Sequence, residues 1–356
     1  MSRFLNNAFI SLDAYTPGEQ PRDKAYIKLN TNESPYPPSP ETVKAVSSSE
    51  VCDLNLYPDP TCKELKQALA DRYNLNENQV FVSNGSDDIL NFAFLAFAGK
   101  GGKAYFPDIS YGFYEVFCEL HGVTANKIPL KQDFSICADD YFNKDGMVVI
   151  ANPNAPTGLC LSLEEIESIL DNNPDQVVVI DEAYVDFGGL SAVALIENHE
   201  NLLVVQTFSK SRSMAGARLG FALGNKELIA DLEKIKYSTN PYSINRLTLI
   251  AGVSAIKSDS YYMENCTKII KTRDFVTKEL RSEGFYVLPS SANFIFAKKD
   301  GIEGKRLYEA LKEKGVLVRH FNKERISDFI RITIGTDAEM KSFLQIIKEI
   351  CEEEVK

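Results

Sequence analysis

The sequence predicts an α/β protein, with a large, doubly wound and mostly parallel sheet domain followed by a smaller α+β domain. Two observations predict it. Six short runs between residues 80 and 223 are apolar on successive positions, the habit of strands covered on both faces, and helical stretches separate most of them. Beyond residue 283 the order changes to shorter strand-like pieces flanked by two helices.

Taken in order, the six runs are Val80–Val82, Lys103–Phe106, Met147–Ala151, Val177–Ile180, Leu202–Val205 and Leu219–Leu223. The clearest helix start is Ser162-Leu163-Glu164-Glu165, a capping-box pattern ahead of Ile166, Ile169 and Leu170. Residues 226–283 read as largely helical, with Ile269, Phe275, Val276 and Leu280 as an apolar stripe. The later strand-like pieces are Phe285–Leu288, Asn293–Ala297, Val316–Val318 and Phe329–Ile334, with helices expected over 304–314 and 338–350. The first forty residues carry Pro17, Gly18, Pro21, Pro35, Pro37, Pro38 and Pro40, so they suit an extended arm better than a central strand or helix interior. The expected division is an arm with part of the small domain over 1–45, a large domain over 46–255 and a small C-terminal domain over 256–356.

Composition narrows the function. The 356 residues, 44% hydrophobic and 25% charged, are ordinary for a globular protein with a sizeable core. A net charge of −11 argues against nucleic acid or an anionic membrane as partner, while leaving room for a small cationic pocket. No segment approaches membrane-spanning length and Met1–Asn7 shows no long apolar stretch, so a cytoplasmic location is expected. The seven cysteines are scattered and form no C-x-x-C pair, which suits reduced thiols. His121, His199 and His320 lack ligand spacing, so no metal is expected.

Chemistry is expected where parallel strands end, because ligands bind beyond their carboxyl ends. Three runs there lead into polar residues: Asn152-Pro153-Asn154-Ala155-Pro156-Thr157-Gly158, Asp181-Glu182-Ala183-Tyr184 and Thr207-Phe208-Ser209-Lys210. An asparagine, an aspartate, a tyrosine and a lysine should converge on one edge. That set fits pyridoxal phosphate, which needs a lysine for covalent attachment, a carboxylate (Asp181) for its pyridine nitrogen and a donor (Tyr184) for its phenolic oxygen. A plain helix N-cap is the alternative for Asp181. Asn84-Gly85-Ser86-Asp87-Asp88, opening a helix at Ile89, could cradle the phosphate or simply cap that helix. Ser209 and Arg218 could complete the cradle, and Tyr111 could supply an aromatic face. No P-loop, dinucleotide fingerprint or G-x-S-x-G elbow is present.

These motifs resemble the fold-type-I pyridoxal-phosphate aminotransferases. More narrowly, Leu29-Asn30-Thr31-Asn32-Glu33-Ser34-Pro35, Leu56-Tyr57-Pro58-Asp59-Pro60, Gly85-Ser86-Asp87 and Arg331-Ile332-Thr333-Ile334-Gly335-Thr336 look like the histidinol-phosphate aminotransferase branch of that family. The likeness runs over nearly the whole chain, and is shared in part with threonine-phosphate decarboxylases.

The resemblance implies a homodimer with active sites at its interface, acting on histidinol phosphate with 2-oxoglutarate and glutamate as the other pair. It makes Lys210 the Schiff-base lysine and the proton shuttle, gives Asp181 the pyridine nitrogen, Tyr184 the phenolic oxygen and Tyr111 the ring face. It assigns Ser86, Asp87, Ser209 and Arg218 to the cofactor phosphate, beside Gly85 and Thr207, with Tyr57 entering from the partner. Arg331 would bind the substrate's anionic group with Arg319 beside it, and Tyr15 and Asn32 would line the pocket. Without that resemblance, both arginines read as ordinary salt-bridge partners. The family usually has asparagine just before Pro-Thr-Gly, and here that residue is Ala155, so Asn154 or Tyr184 alone would serve the phenolic oxygen. The other readings are a decarboxylase or aromatic aminotransferase on the same fold, and a non-catalytic ligand-binding relative.

Overall fold

The computed structural model describes Phe9, residues 12–46 and residues 51–354. The arm contributes β1 (Ile27–Lys28) and then a short helix, Pro40–Ala45, which places its proline in the first turn where no N–H is needed. Seven strands form the large sheet: β2 (Val80–Ser83), β3 (Lys103–Pro107), β4 (Thr124–Ile128), β5 (Met147–Ala151), β6 (Val178–Asp181), β7 (Leu202–Thr207) and β8 (Gly220–Gly224). Their order is β2-β8-β7-β6-β5-β3-β4, and β8 alone runs against the others.

Alternation of side chains along the central strands explains their unbroken hydrophobicity. Val148, Ile150, Val178, Ile180, Leu202 and Val204 point to one face, where the helices Lys63–Tyr73, Leu163–Asp171 and Arg246–Lys257 cover them. Met147, Val149, Val179, Leu203 and Val205 point to the other, beneath the helices Ser86–Ala93, Phe113–His121 and Lys226–Thr239. Both faces are dry, so a polar position is available only at the strand ends.

The small sheet is antiparallel, ordered β12 (Arg319–His320), β13 (Ile330–Thr333), β10 (Phe294–Lys299) and β9 (Phe285–Val287). β1 pairs in parallel with β11 (Val316–Leu317), which ties the arm to this part of the chain. The helices Asp259–Ser282, Gly304–Glu313 and Asp337–Glu354 share its core. No helix of the described residues is long and apolar enough to cross a membrane.

Sequence and structure part at a few elements. β4, reading Thr-Ala-Asn-Lys-Ile and mostly exposed, is an edge strand with no apolar run to reveal it. The helix after β2 begins at Ser86, three residues before the expected Ile89, so Asp87 and Asp88 lie in its first turn, where the positive end of the helix favours carboxylates. Asp181 is the last residue of β6 and caps no helix.

A candidate active site at the carboxyl edge of the large sheet

A cleft of about 750 Å³ opens at this edge, bounded by strand ends of the large sheet, the arm, and β12 and β13. β2, β5, β6 and β7 all finish here, and antiparallel β8 begins here two residues after Arg218. Adjacent register places Ala151 beside Asp181, and Asp181 beside Val205, so these ends are level.

Asp181 is 4% exposed, with Oδ2 accepting from the Tyr114 hydroxyl at 2.8 Å and Oδ1 from the Ala183 N–H at 3.2 Å. Burial raises its carboxyl to about 6, and the Tyr114 bond opposes that rise. Lys210 is half-buried, its Nζ donating to the Thr31 carbonyl at 3.3 Å and lying 5.8 Å from the centre of the Tyr184 ring. Burial and the charge of Arg331 lower its amine to about 8. Such an amine is unprotonated in part near neutral pH, which makes it both nucleophile and base. The Tyr184 hydroxyl accepts from Asn32 Nδ2 at 3.0 Å and keeps its own proton to donate.

Two glycines let the turn after β2 pack closely against Arg218 and the start of β8. Gly85 has φ of 93°, in the region that favours glycine, and a Cβ there would sit 2.8 Å from Arg218 Nη2. A Cβ on Gly220 would sit 2.5 Å from the Ser86 nitrogen. Ser86 and Asp87 start the following helix, so their N–H groups have no partner within it. Arg218 reaches Ser209 Oγ at 3.5 Å and Asp87 at 3.1 Å, and Thr207 Oγ1 donates to Ser209 Oγ at 3.0 Å. The other Asp87 oxygen accepts from the Tyr111 hydroxyl at 2.7 Å, linking that ring to the turn.

The opposite wall is cationic. Arg331 lies over the rings of Phe294 and Phe321, its carbon Cζ 5.3 and 5.7 Å from their centres, and donates to the Asn30 carbonyl at 3.1 Å. Its buried Nε has no hydrogen-bond partner among the described residues. Arg319, across the ladder, donates to the carbonyls of Thr16 (3.0 Å) and Pro17 (3.3 Å). Tyr15, on the same arm segment, stacks on Phe113 with centroids 4.2 Å apart. Asn32 has φ of 54° and exchanges bonds with Thr333.

Lys210, Asp181, Tyr184, Tyr111, Ser86, Asp87, Thr207, Ser209, Arg218, Tyr15, Asn32, Arg319 and Arg331 therefore share one cleft. Three expected residues lie outside its lining, Gly85 by a single position, since Ser86 and Asp87 of the same turn do line it. Asn154 lies outside the lining, its amide committed to the Ile109 carbonyl, Thr157 and Ser110. Its place in the lining is taken by Ala155, which packs with Ala292, Phe294 and Tyr184. Tyr57 is 78% exposed, stacked on Tyr242 and outside this chain's cleft. Sequence reasoning overlooked Tyr114, Gly220 and Phe321. Tyr114 stands three residues after Tyr111 on the edge of a helix, and that spacing was its only signal.

The sequence model of the family Aminotransferase class I and II matches residues 24–347. A histidinol-phosphate aminotransferase of Brachyspira hyodysenteriae is 53% identical over 98% of this chain and 99% of its own length. One from Marinomonas sp. is 51% identical over 98% of this chain and the whole of its own. Among solved structures, histidinol-phosphate aminotransferase from Sinorhizobium meliloti in complex with pyridoxal-5'-phosphate superposes with a TM-score of 0.89 at 22% identity, covering 99% of both chains. That from Clostridium acetobutylicum gives 0.84 at 25% identity, over 92% of this chain and 99% of its own.

Proposed function

We propose that this chain, which belongs to the class I and II aminotransferase family, exchanges an amino group between histidinol phosphate and 2-oxoglutarate, giving imidazole acetol phosphate and glutamate in histidine biosynthesis. The observation that carries the reading is the meeting of Lys210 and Asp181 with a wall of two arginines in one cleft. Full-length relatives of that name at about half identity support it.

The residues fit pyridoxal phosphate. The helix-start N–H groups of Ser86 and Asp87, with Arg218 against the same turn, suit a phosphate, and a half-buried lysine amine in one cleft with a buried carboxylate suits the ring. When bound, the cofactor supplies a carbonyl that takes up the amino group and a ring that draws electron density from the reacting carbon. Lys210 would hold it and, through Nζ, take up and return the proton of the substrate's nitrogen-bearing carbon. Asp181 would hold positive charge at the ring nitrogen, and Tyr184 would donate to the phenolic oxygen with no help from Ala155. The Ser86 and Asp87 N–H groups, Ser209 and Arg218 would hold the phosphate. The Asp87 carboxylate only accepts hydrogen bonds, so its part is to orient Tyr111 and Arg218. Tyr111 would cover one ring face.

Arg331, with Arg319, would meet the substrate's phosphate, and the alternating exchange with a dicarboxylic acid would use the same cations. Tyr15 and Asn32 would close the pocket. Tyr57, exposed here, would complete the active site of a partner subunit in a homodimer. A cytoplasmic location belongs to the same reading. So does the division at 45/46 and 255/256, which is supported by separate hydrophobic clusters around the two main sheets, although Tyr262 still packs with the large one.

Turnover of histidinol phosphate, phenylalanine and threonine phosphate, measured side by side, tests the substrate. The reading requires the first to give the highest kcat/KM, and a higher value on either other compound contradicts it.

A further inference from the structure

Tyr114 is fully buried, yet its hydroxyl does not serve the core around it. Its ring is held edge-on by Phe106 and Tyr111, each with centroids 5.7 Å away, and lies near-parallel to Phe94 at 6.3 Å. Among the described residues its one hydrogen-bond partner is Asp181 Oδ2, at 2.8 Å. Burial holds the phenol's own pKa well above its ordinary value, so it remains a donor.

Asp181 needs such a donor. It is buried, Asp87 repels its negative charge, and the attractions that favour ionisation come from Lys210, the Ala183 N–H and Tyr114. A buried carboxylate stripped of a donor becomes more basic. Facing a protonated ring nitrogen, a more basic carboxylate takes the proton for itself, and the two charges cancel.

We infer that Tyr114 is a positioning residue for the reaction: its hydroxyl fixes one Asp181 oxygen and keeps that carboxylate ionised opposite the cofactor's ring nitrogen, without touching cofactor or substrate. This rests on the assignment of Asp181 to the ring nitrogen made above. Tyr114 is thus chemically tuned although it looks like a core aromatic. The ring cage sets its angle, and the single bond to Asp181 transmits the effect.

The test uses holoenzyme reconstituted with pyridoxal phosphate labelled with ¹⁵N at its ring nitrogen, whose NMR shift reports protonation directly. In Tyr114→Phe the resonance is expected to move toward the unprotonated position at pH 7.5, with turnover falling roughly tenfold or more. Asp181→Asn is the control for the underlying assignment. If that control leaves the resonance in place, the assignment of Asp181 fails. If the control moves it and Tyr114→Phe does not, the assignment stands and the inference about Tyr114 is overturned. In an Asp181→Asn background, Tyr114→Phe should add nothing to the shift. Should Tyr114→Phe fail to fold, a tyrosine fluorinated beside its hydroxyl, placed at position 114, retains the packing and strengthens the donor. Loss of the ring-nitrogen proton then moves to higher pH, and an unchanged titration overturns the inference.

Discussion

Arg319 and Arg331 are register partners on the adjacent strands β12 and β13, yet their surroundings differ sharply. Arg331 lies over two phenylalanine rings and its buried Nε has no partner among the described residues, whereas Arg319 directs its guanidinium to two carbonyls of the arm. A cation without a saturated set of acceptors is the better anchor for an anion. Arg331→Ala is therefore expected to raise KM for histidinol phosphate by about 10- to 100-fold, the size of a lost charge-assisted bond. Arg319→Ala should cost less. Steady-state kinetics on both variants checks this, and an equal or reversed order would sink the ranking.

The amine of Lys210 makes a prediction about pH. In cofactor-free protein its reductive methylation should follow a midpoint of about 8, which mass spectrometry can read on the peptide that contains it. The sign for stability follows from linkage. A free lysine titrates near ~10.4, so from about 8 up to that value the unfolded chain binds the extra proton and stability rises with pH. The contribution is full above the upper value and is lost as pH falls through about 8. A midpoint for Lys210 above 10 would contradict the proposed environment.

The wall beside Tyr184 gives a third prediction. Asn154 is tied to Ile109, Ser110 and Thr157, and Ala155 offers only a methyl, so Tyr184 stands without a second donor from that turn. Removing a donor from an oxygen that carries negative charge raises that group's proton affinity. Tyr184→Phe should shift the pH midpoint of the bound cofactor's visible band upward by about a unit, in keeping with a lost bond to a charged group. Ala155→Asn in the same chain should bring it partly back. A midpoint that ignores Tyr184 would remove the residue from this role.

Gly220 tests the part proposed for the turn after β2. A methyl there meets the backbone of Gly85 and Ser86, and neither is the flexible end of a side chain. Gly220→Ala should weaken pyridoxal phosphate binding at least tenfold and cost about 1–3 kcal/mol of stability, the range for overpacking. Cofactor titration by fluorescence together with thermal unfolding reads both. Unchanged affinity would mean that the turn after β2 does not hold the phosphate.

Much of this molecule was legible in the sequence, for physical reasons. The central strands are buried on both faces, so each prints itself as an unbroken apolar run such as Met147–Ala151, and the polar residue that follows marks the functional edge. β4 was not legible, because an exposed edge strand has no burial to select its residues. Asp181 could have been a cap, and only the register beside Ala151 and Val205 settles where it stands. Asn154 and Ala155 adjoin in sequence but face different ways, a distinction that depends on the turn's three-dimensional path. The link from Tyr114 to Asp181 joins residues 67 apart, and no local pattern carries it.

The central claim is that Lys210 holds the cofactor, and borohydride reduction of the reconstituted protein followed by tryptic mapping tests it most directly. The account predicts loss of the yellow colour and a pyridoxyl adduct on the peptide containing Lys210, absent in Lys210→Ala. A reduced protein whose adduct lies on another lysine, or that carries none, would contradict it.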